Sequence, residues 1–170
     1  MMNNLSFSNP VSNRSGGKNV YFTDTLTKTV TGTIPFGVQE YKTNKTCDVQ
    51  ILEPSFFEDL DLFIVSEAAK NSFKWFNKSI HNSVIKELYK SPLRQNKNYP
   101  PLLKVKLYSK SGLNLENLEK GSTVEMNIRN TGIYFTPSSF GTGWTTEIVK
   151  VLQSPPKAPK LEGYSFIDEE

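Results

Sequence analysis

Strict alternation of apolar and polar residues in two stretches constrains the fold of this chain more than any other feature. From Leu103 onward, LLKVKLYS (102–109) places leucine or valine at every second position, with lysine or tyrosine between them. GSTVEMNIRN (121–130) alternates in the same way. Because successive side chains of a β-strand point to opposite faces, this period of two predicts two strands that are each buried on one side.

Shorter runs rich in β-branched and aromatic residues predict the remaining strands. They are KNVYFTD (18–24), a bent strand in KTVTGTIPFGVQEY (28–41), KTCDVQILE (45–53), TGIYFT (131–136) and GWTTEIVKVLQ (143–153). The two glycines of FGTGW (140–144) predict a tight turn between two strands. From Phe57 to about Lys90 the apolar residues recur every three or four positions, which predicts one kinked helix or two helices.

About six or seven strands around a single helical segment indicate an α+β domain that is mainly β, most simply a small closed barrel. Local composition indicates where this domain begins and ends. Residues 1–17 are rich in Asn, Ser and Gly and are expected to form a flexible arm, so the folded domain is expected to span 18–153. SPPKAPK (154–160) predicts a Pro-rich linker, and LEGYSFIDEE (161–170) is an acidic tail with four carboxylates and no basic residue.

Positive charge is concentrated in the middle of the chain. The formal net charge is only +3, but the stretch from Lys70 to Lys110 contains ten basic residues and one acid. Such a density attracts polyanions or acidic membrane surfaces, and it is also compatible with a solvated face. The single cysteine, Cys47, excludes an intramolecular disulfide and favours a reducing, intracellular compartment. No apolar run is long enough to span a membrane, and no secretory signal is evident.

The residues that could support catalysis are few. His81 is the only histidine, which argues against a Cys/His metal site. Three carboxylates in FEDLDLF, namely Glu58, Asp59 and Asp61, could hold Mg²⁺ in a nuclease-like site, but the start of a helix explains them equally well. The sequence therefore predicts no enzyme, no catalytic residue, no metal and no cofactor.

A binding surface is better supported. Lys104, Lys106 and Tyr108 share one face of a predicted strand, and Lys110 continues the alternation. Lysines neutralise phosphates and tyrosine offers a stacking surface, which is the combination that single-stranded nucleic acid requires. The remaining candidate contacts are Arg129, Lys150, Tyr134, Trp75 and Tyr99.

TGIYFTPSSFGTGWTTEIVKV (131–151), preceded by NYPPLLKVKL (98–107), resembles the single-stranded DNA-binding proteins of large eukaryotic DNA viruses. These are similar to the podophage replication protein, which has an OB-fold and an acidic C-terminal tail. The resemblance covers roughly 45–153 and the character of the tail. It implies an OB-fold-like barrel with the helical segment before the later strands, and a homodimer that binds and protects single-stranded DNA without sequence preference. The implied setting is viral replication, recombination or strand annealing, in the host nucleus or at a cytoplasmic replication site.

The same resemblance implies that the tail binds a replicative polymerase or helicase and competes with DNA. The tail residues that would do so are Glu162, Tyr164, Phe166, Asp168, Glu169 and Glu170. Phe166 is internal here, whereas the phage tail ends on an aromatic residue. Three alternatives remain open on the sequence: a protein-interaction or scaffold domain with solubilising lysines, an RNA-binding protein, and a Mg²⁺-dependent nuclease that uses Asp59 and Asp61.

Overall fold

A computed structural model describes residues 4–14, 16–42, 44–96, 98–108 and 118–155. Within these ranges the chain forms ten strands and three helices. In chain order they are β1 (Val11–Ser12), β2 (Lys18–Val20), β3 (Thr27–Thr33), β4 (Val38–Tyr41), β5 (Asn44–Gln50), α1 (Ser55–Lys70), α2 (Ser72–Phe76), α3 (Asn82–Leu88), β6 (Tyr89–Lys90), β7 (Leu93–Asn96), β8 (Tyr99–Leu107), β9 (Thr123–Phe135) and β10 (Phe140–Gln153). The prediction of a mainly β protein with a helical segment before the later strands is confirmed.

All ten strands belong to one mixed sheet in the order β1-β2-β9-β10-β8-β5-β4. β3 pairs with the same edge of β9 as β2, while β6 pairs with β10 and β7 with β8. The pairings of β10 with β6 and β8 are parallel, and the others are antiparallel. The long strands β9 and β10 therefore form the centre of the sheet.

The helices contribute to one hydrophobic core with the sheet. The apolar side chains of the alternating strands, such as Val105 and Ile128, belong to the same buried cluster as Leu60 and Ile64 of α1. Lys104 and Arg129 alternate with these buried positions and are exposed. The alternation seen in the sequence therefore separates a buried face from a solvent face that carries the basic residues.

The expected closed barrel is not formed. β3 and β5 approach each other so closely that a Cβ atom on Gly32 would lie 2.0 Å from the carbonyl oxygen of Gln50. Among the described strands, however, these two are not hydrogen-bonded neighbours. The sheet is therefore strongly curved but open.

Two local predictions are wrong for a shared reason. The runs 121–130 and 131–136 form one continuous strand, β9, which bends where Gly132 adopts a φ of +90°. FGTGW lies inside β10, and the hairpin turn comes earlier, where the Thr136 N–H donates to the Ser139 carbonyl at 2.8 Å. Glycine marks a bend or a bulge within a strand as well as a turn, and cross-strand pairing decides between them.

The N-terminal region also differs from a free arm. Val11 and Ser12 pair with β2, and the ring of Phe7 packs edge-on against Trp75 at 5.2 Å between centroids. The described chain therefore joins the fold well before Lys18. Among the described helices, none is both long and apolar enough to cross a membrane.

Candidate nucleic-acid interface

The solvent face of the sheet contains a gap beside β10. Along one edge β10 pairs with β9 over most of its length, with register shifts at three points, but along the other edge it pairs first with β6 at Phe140–Gly141 and then with β8 at Thr145–Thr146. Residues 142–144 lie between these two pairings, next to the Ser91–Pro92 connection that leads to β7. Since proline lacks an N–H donor, Pro92 cannot extend the ladder across this gap.

The gap opens into a cavity of about 370 Å³, here called the basic groove. Four cationic side chains line it: Lys90, Arg94, Lys104 and Lys106. None of the described residues that line the groove is acidic. Four positive charges around one small cavity produce a local potential that attracts anions far more strongly than the net charge of the chain suggests.

Tyr134 supplies an aromatic surface in the basic groove. It stands opposite Gly141 in the β9–β10 ladder, and a Cβ atom on Gly141 would lie 2.7 Å from the tyrosine Oη and 2.9 Å from its Cζ. The ring therefore lies across the glycine backbone, which fixes its position, while the residue remains 37% exposed. Partial burial raises the pKa of Tyr134, so its hydroxyl stays protonated at neutral pH.

A half-buried carboxylate, Asp61, fixes one wall of the basic groove. Asp61 on α1 accepts hydrogen bonds of 2.5 Å from the hydroxyls of Tyr89 and Ser91, and the Ser91 hydroxyl accepts one from the Leu93 N–H at 3.0 Å. Burial raises the pKa of Asp61, while the two hydroxyl donors oppose that shift. Asp61 is thus committed to holding the wall in place, which is a structural use of a carboxylate that the sequence left open as a Mg²⁺ ligand.

Lys106 belongs to a row of residues that crosses the sheet. Arg129 on β9 and Lys106 on β8 are both register partners of Thr145 on β10, which lies between them. Neighbouring strands are about 4.8 Å apart, so the backbones at Arg129 and Lys106 are separated by about 10 Å. Arg129 therefore extends the positive surface sideways from the basic groove.

The other predicted contacts lie farther from the groove. Tyr108 is half-buried, and the Lys106 Nζ lies 5.5 Å from its ring centroid. Lys150 is exposed but stands opposite Glu125, which offsets its charge. Tyr99 is 63% exposed at the start of β8, outside the groove.

Trp75 does not belong to this surface. It belongs to α2, is 1% exposed and packs against the rings of Phe7 and Phe135, so it offers no face for stacking. Lys110 and the acidic segment (residues 161–170) lie outside the described residues. The structure thus brings Lys104, Lys106 and Tyr134 together and removes Trp75 from the set.

Sequence reasoning missed two of the four cations. Lys90 falls at the end of the predicted helical segment, and no strand was predicted for 94–101, although LRQN and YPP form a β-hairpin. Arg94 is paired with Asp48, a buried residue in the strand that precedes α1. The signal for both was the basic stretch from Lys70 to Lys110, but charge density alone does not show which residues face one cavity.

Fold and groove together define a mainly β protein with a single curved sheet and a strongly basic groove on its solvent face. The chain belongs to DUF5871, a family of unknown function, which matches residues 36–168. Every side chain that lines the basic groove falls within that range. A comparison with curated proteins finds no match.

Proposed function

We propose that this protein binds single-stranded DNA without sequence preference and without enzymatic activity. The observation that carries the proposal is the basic groove, where four cationic side chains and the ring of Tyr134 line one cavity. Phosphates of a single strand pair with the cations, while an unpaired base stacks on the ring. Bases in a duplex are already stacked on each other, so an exposed ring in a narrow groove favours a single strand.

Arg129 extends the proposed path beyond the groove. It shares the solvent face and a register row with Lys106. Farther along the same strand, Asn127 and Glu125 point to the same side, followed by the cross-strand partner Lys150. A DNA single strand that leaves the groove along β9 would therefore contact Arg129 first and then a nearly neutral surface.

The proposal includes a fold related to the OB-fold with an open barrel. The close approach of β3 and β5 at Gly32 supports it, because that contact lies where hydrogen bonding would close the sheet. The residues that resemble viral single-stranded DNA-binding proteins, 131–151, contribute Tyr134 and the 142–144 stretch to the groove. We accordingly place the function in viral DNA replication, recombination or strand annealing.

The acidic segment is proposed to compete with DNA for the basic groove and to bind a replication partner. β10 ends at Gln153, opposite Thr123, and the Arg129 row lies six residues farther along β9, or about 20 Å away. The thirteen residues 154–166 can span at most about 45 Å when extended. Phe166 can therefore reach the groove of its own chain, where its neighbouring carboxylates would take the place of phosphates.

The test is anisotropy titration of labelled oligo(dT) at several salt concentrations. Four groove cations predict a slope of log K against log salt near −2.8, at about −0.7 for each phosphate contact. Removing residues 161–170 should tighten binding, most strongly at low salt. A flat salt response would refute the proposal, and unchanged affinity after the deletion at low salt would refute the competition. Matched DNA and RNA oligonucleotides in competition determine which nucleic acid is preferred.

A protein-interaction role is the second candidate, and exposed apolar residues on the helices favour it. Leu62 on α1 is 68% exposed and Phe73 on α2 is 70% exposed. Each side chain therefore lies on the solvent side of its own helix, away from the core. This role predicts that Leu62→Glu weakens a protein contact while the affinity for oligo(dT) is unchanged.

A further inference from the structure

Arg94 is held in the basic groove by contact with a buried carboxylate. Its Nη2 donates to the Oδ2 of Asp48 at 2.5 Å. Asp48 is 2% exposed, whereas the side chain of Arg94 is 60% exposed. The guanidinium is therefore anchored at one edge, while most of its surface faces solvent on the side of the groove.

The position of Asp48 is unfavourable if only charge is considered. It stands opposite Lys104 in the β5–β8 ladder, beside one of the cations of the groove. A carboxylate at this point reduces the attraction of the groove for any anion, and burying it carries a desolvation cost. Its second oxygen, Oδ1, has no hydrogen-bond partner among the described residues. What the pair provides is geometry, because a guanidinium is a rigid plane of five N–H donors, and fixing one amino group orients the others.

We propose that Asp48 and Arg94 form a fixed seat for one backbone phosphate of the bound single strand. Asp48 is the positioning residue, and it keeps the plane of the guanidinium turned toward the basic groove. Arg94 then donates two parallel N–H bonds to the phosphate oxygens, and Lys104 adds an untethered charge beside them. This inference rests on the proposed function, since the ligand is a phosphodiester of that strand.

The decisive experiment is Asp48→Asn in the full-length protein, because a purely electrostatic role and a positioning role of Asp48 predict opposite changes in the affinity for oligo(dT). If Asp48 acts only through its charge, its removal tightens the binding of oligo(dT). If it positions Arg94, the affinity falls by about tenfold or more, which corresponds to the loss of one oriented charge-assisted hydrogen bond. Glu125→Gln is the matched control, because Glu125 is another carboxylate on the solvent face but stands opposite Lys150 in the β9–β10 ladder.

Two further variants complete the test. Arg94→Lys keeps both the positive charge and Asp48 but removes the guanidinium with its two parallel N–H donors. The affinity should therefore fall, while the slope of log K against log salt stays the same. In an Arg94→Ala background, Asp48→Asn should no longer weaken binding. If Asp48→Asn lowers the melting temperature so strongly that its affinity cannot be compared with the wild type, Arg94→Lys tests the phosphate seat in its place. If Arg94→Lys binds oligo(dT) as tightly as the wild type, the proposed phosphate seat is refuted. It is also refuted if Asp48→Asn tightens binding in the same way as Glu125→Gln. Neither result contradicts the proposed function. Salt-independent binding by the wild type overturns the proposed function as well.

Discussion

Tyr134→Ala tests whether base stacking, and not only charge, holds the single strand. The ring lies over Gly141 with one face supported by backbone and its exposed part in the basic groove. Stacking of a base on an aromatic side chain contributes about 1–3 kcal/mol. Because only one face is open and the residue is 37% exposed, we expect the lower half of that range. The dissociation constant for oligo(dT) should then rise by about 5- to 30-fold, at 1.4 kcal/mol for each factor of ten.

The salt dependence distinguishes this loss from an electrostatic one. Tyrosine carries no charge at neutral pH, so Tyr134→Ala should shift log K by the same amount at every salt concentration. Lys106→Ala should instead reduce the slope by about 0.7. The assay is anisotropy of labelled oligo(dT) over a series of salt concentrations, with thermal unfolding to confirm that each variant is folded.

Two controls belong to the same experiment. Tyr134→Phe keeps the ring and should bind within about twofold of the wild type, since the stacking surface is retained. Tyr99→Ala removes a more exposed tyrosine outside the groove and should leave the affinity unchanged. If Tyr99→Ala weakens binding as much as Tyr134→Ala does, or if Tyr134→Ala has no effect, the stacking argument is refuted.

Three further predictions concern the fold. Gly32→Ala places a methyl group 2.0 Å from the Gln50 carbonyl oxygen and should lower the free energy of unfolding by about 1–3 kcal/mol or more, as measured by urea titration. Gly143→Ala is the control, and because its nearest contact is a side chain it should lower the free energy of unfolding by less. Burial raises the pKa of Asp61 above 3.8, so its contribution to stability is fully present below pH 3.8 and is lost as the pH rises through the folded-state pKa. The difference in unfolding free energy between the wild type and Asp61→Asn should therefore change over that window, and a constant difference would contradict the assignment. Burial raises the pKa of Cys47 to about 12, so a thiol reagent at mildly alkaline pH should label it only after denaturation.

Local patterns in the sequence were sufficient to predict which residues of a strand face the core and which face solvent. The period of two in 102–109 placed Lys104 and Lys106 on the solvent side and Leu103 in the core, as the structure shows. This succeeds because alternation is a property of the strand itself and does not depend on which strand is its neighbour. The same reasoning divided β9 between Asn130 and Thr131, next to Gly132, because a glycine with positive φ looks identical in sequence whether it ends a strand or bends one.

Trp75 shows the limit of reasoning from residue type. A tryptophan in a basic stretch was a reasonable stacking candidate, but its position relative to the helix axis decides whether it faces water. The buried positions of α1, at Leu60, Ile64 and Ala68, continue through Ser72 to Trp75 at intervals of three and four residues. Continuing that stripe across the break at Asn71 would have placed Trp75 in the core, and the large apolar surface of the indole favours burial.

The groove itself depends on pairing that local sequence does not encode. It exists because β10 binds two different strands along one edge, β6 first and β8 later, and on that edge no described strand pairs with the residues between them. Lys90 and Arg94 enter it from the short segments before β8, while Lys104 and Lys106 enter from β8 itself. All four belong to the basic stretch, yet only the parallel docking of β6 and β8 against β10 turns their spacing along the chain into one cavity. A cluster assembled in this way loses its shape if either pairing fails. The hydrogen bonds of Asp61 to Tyr89 in β6 and to Ser91 in the β6–β7 connection therefore bear on binding, even though Asp61 does not line the groove.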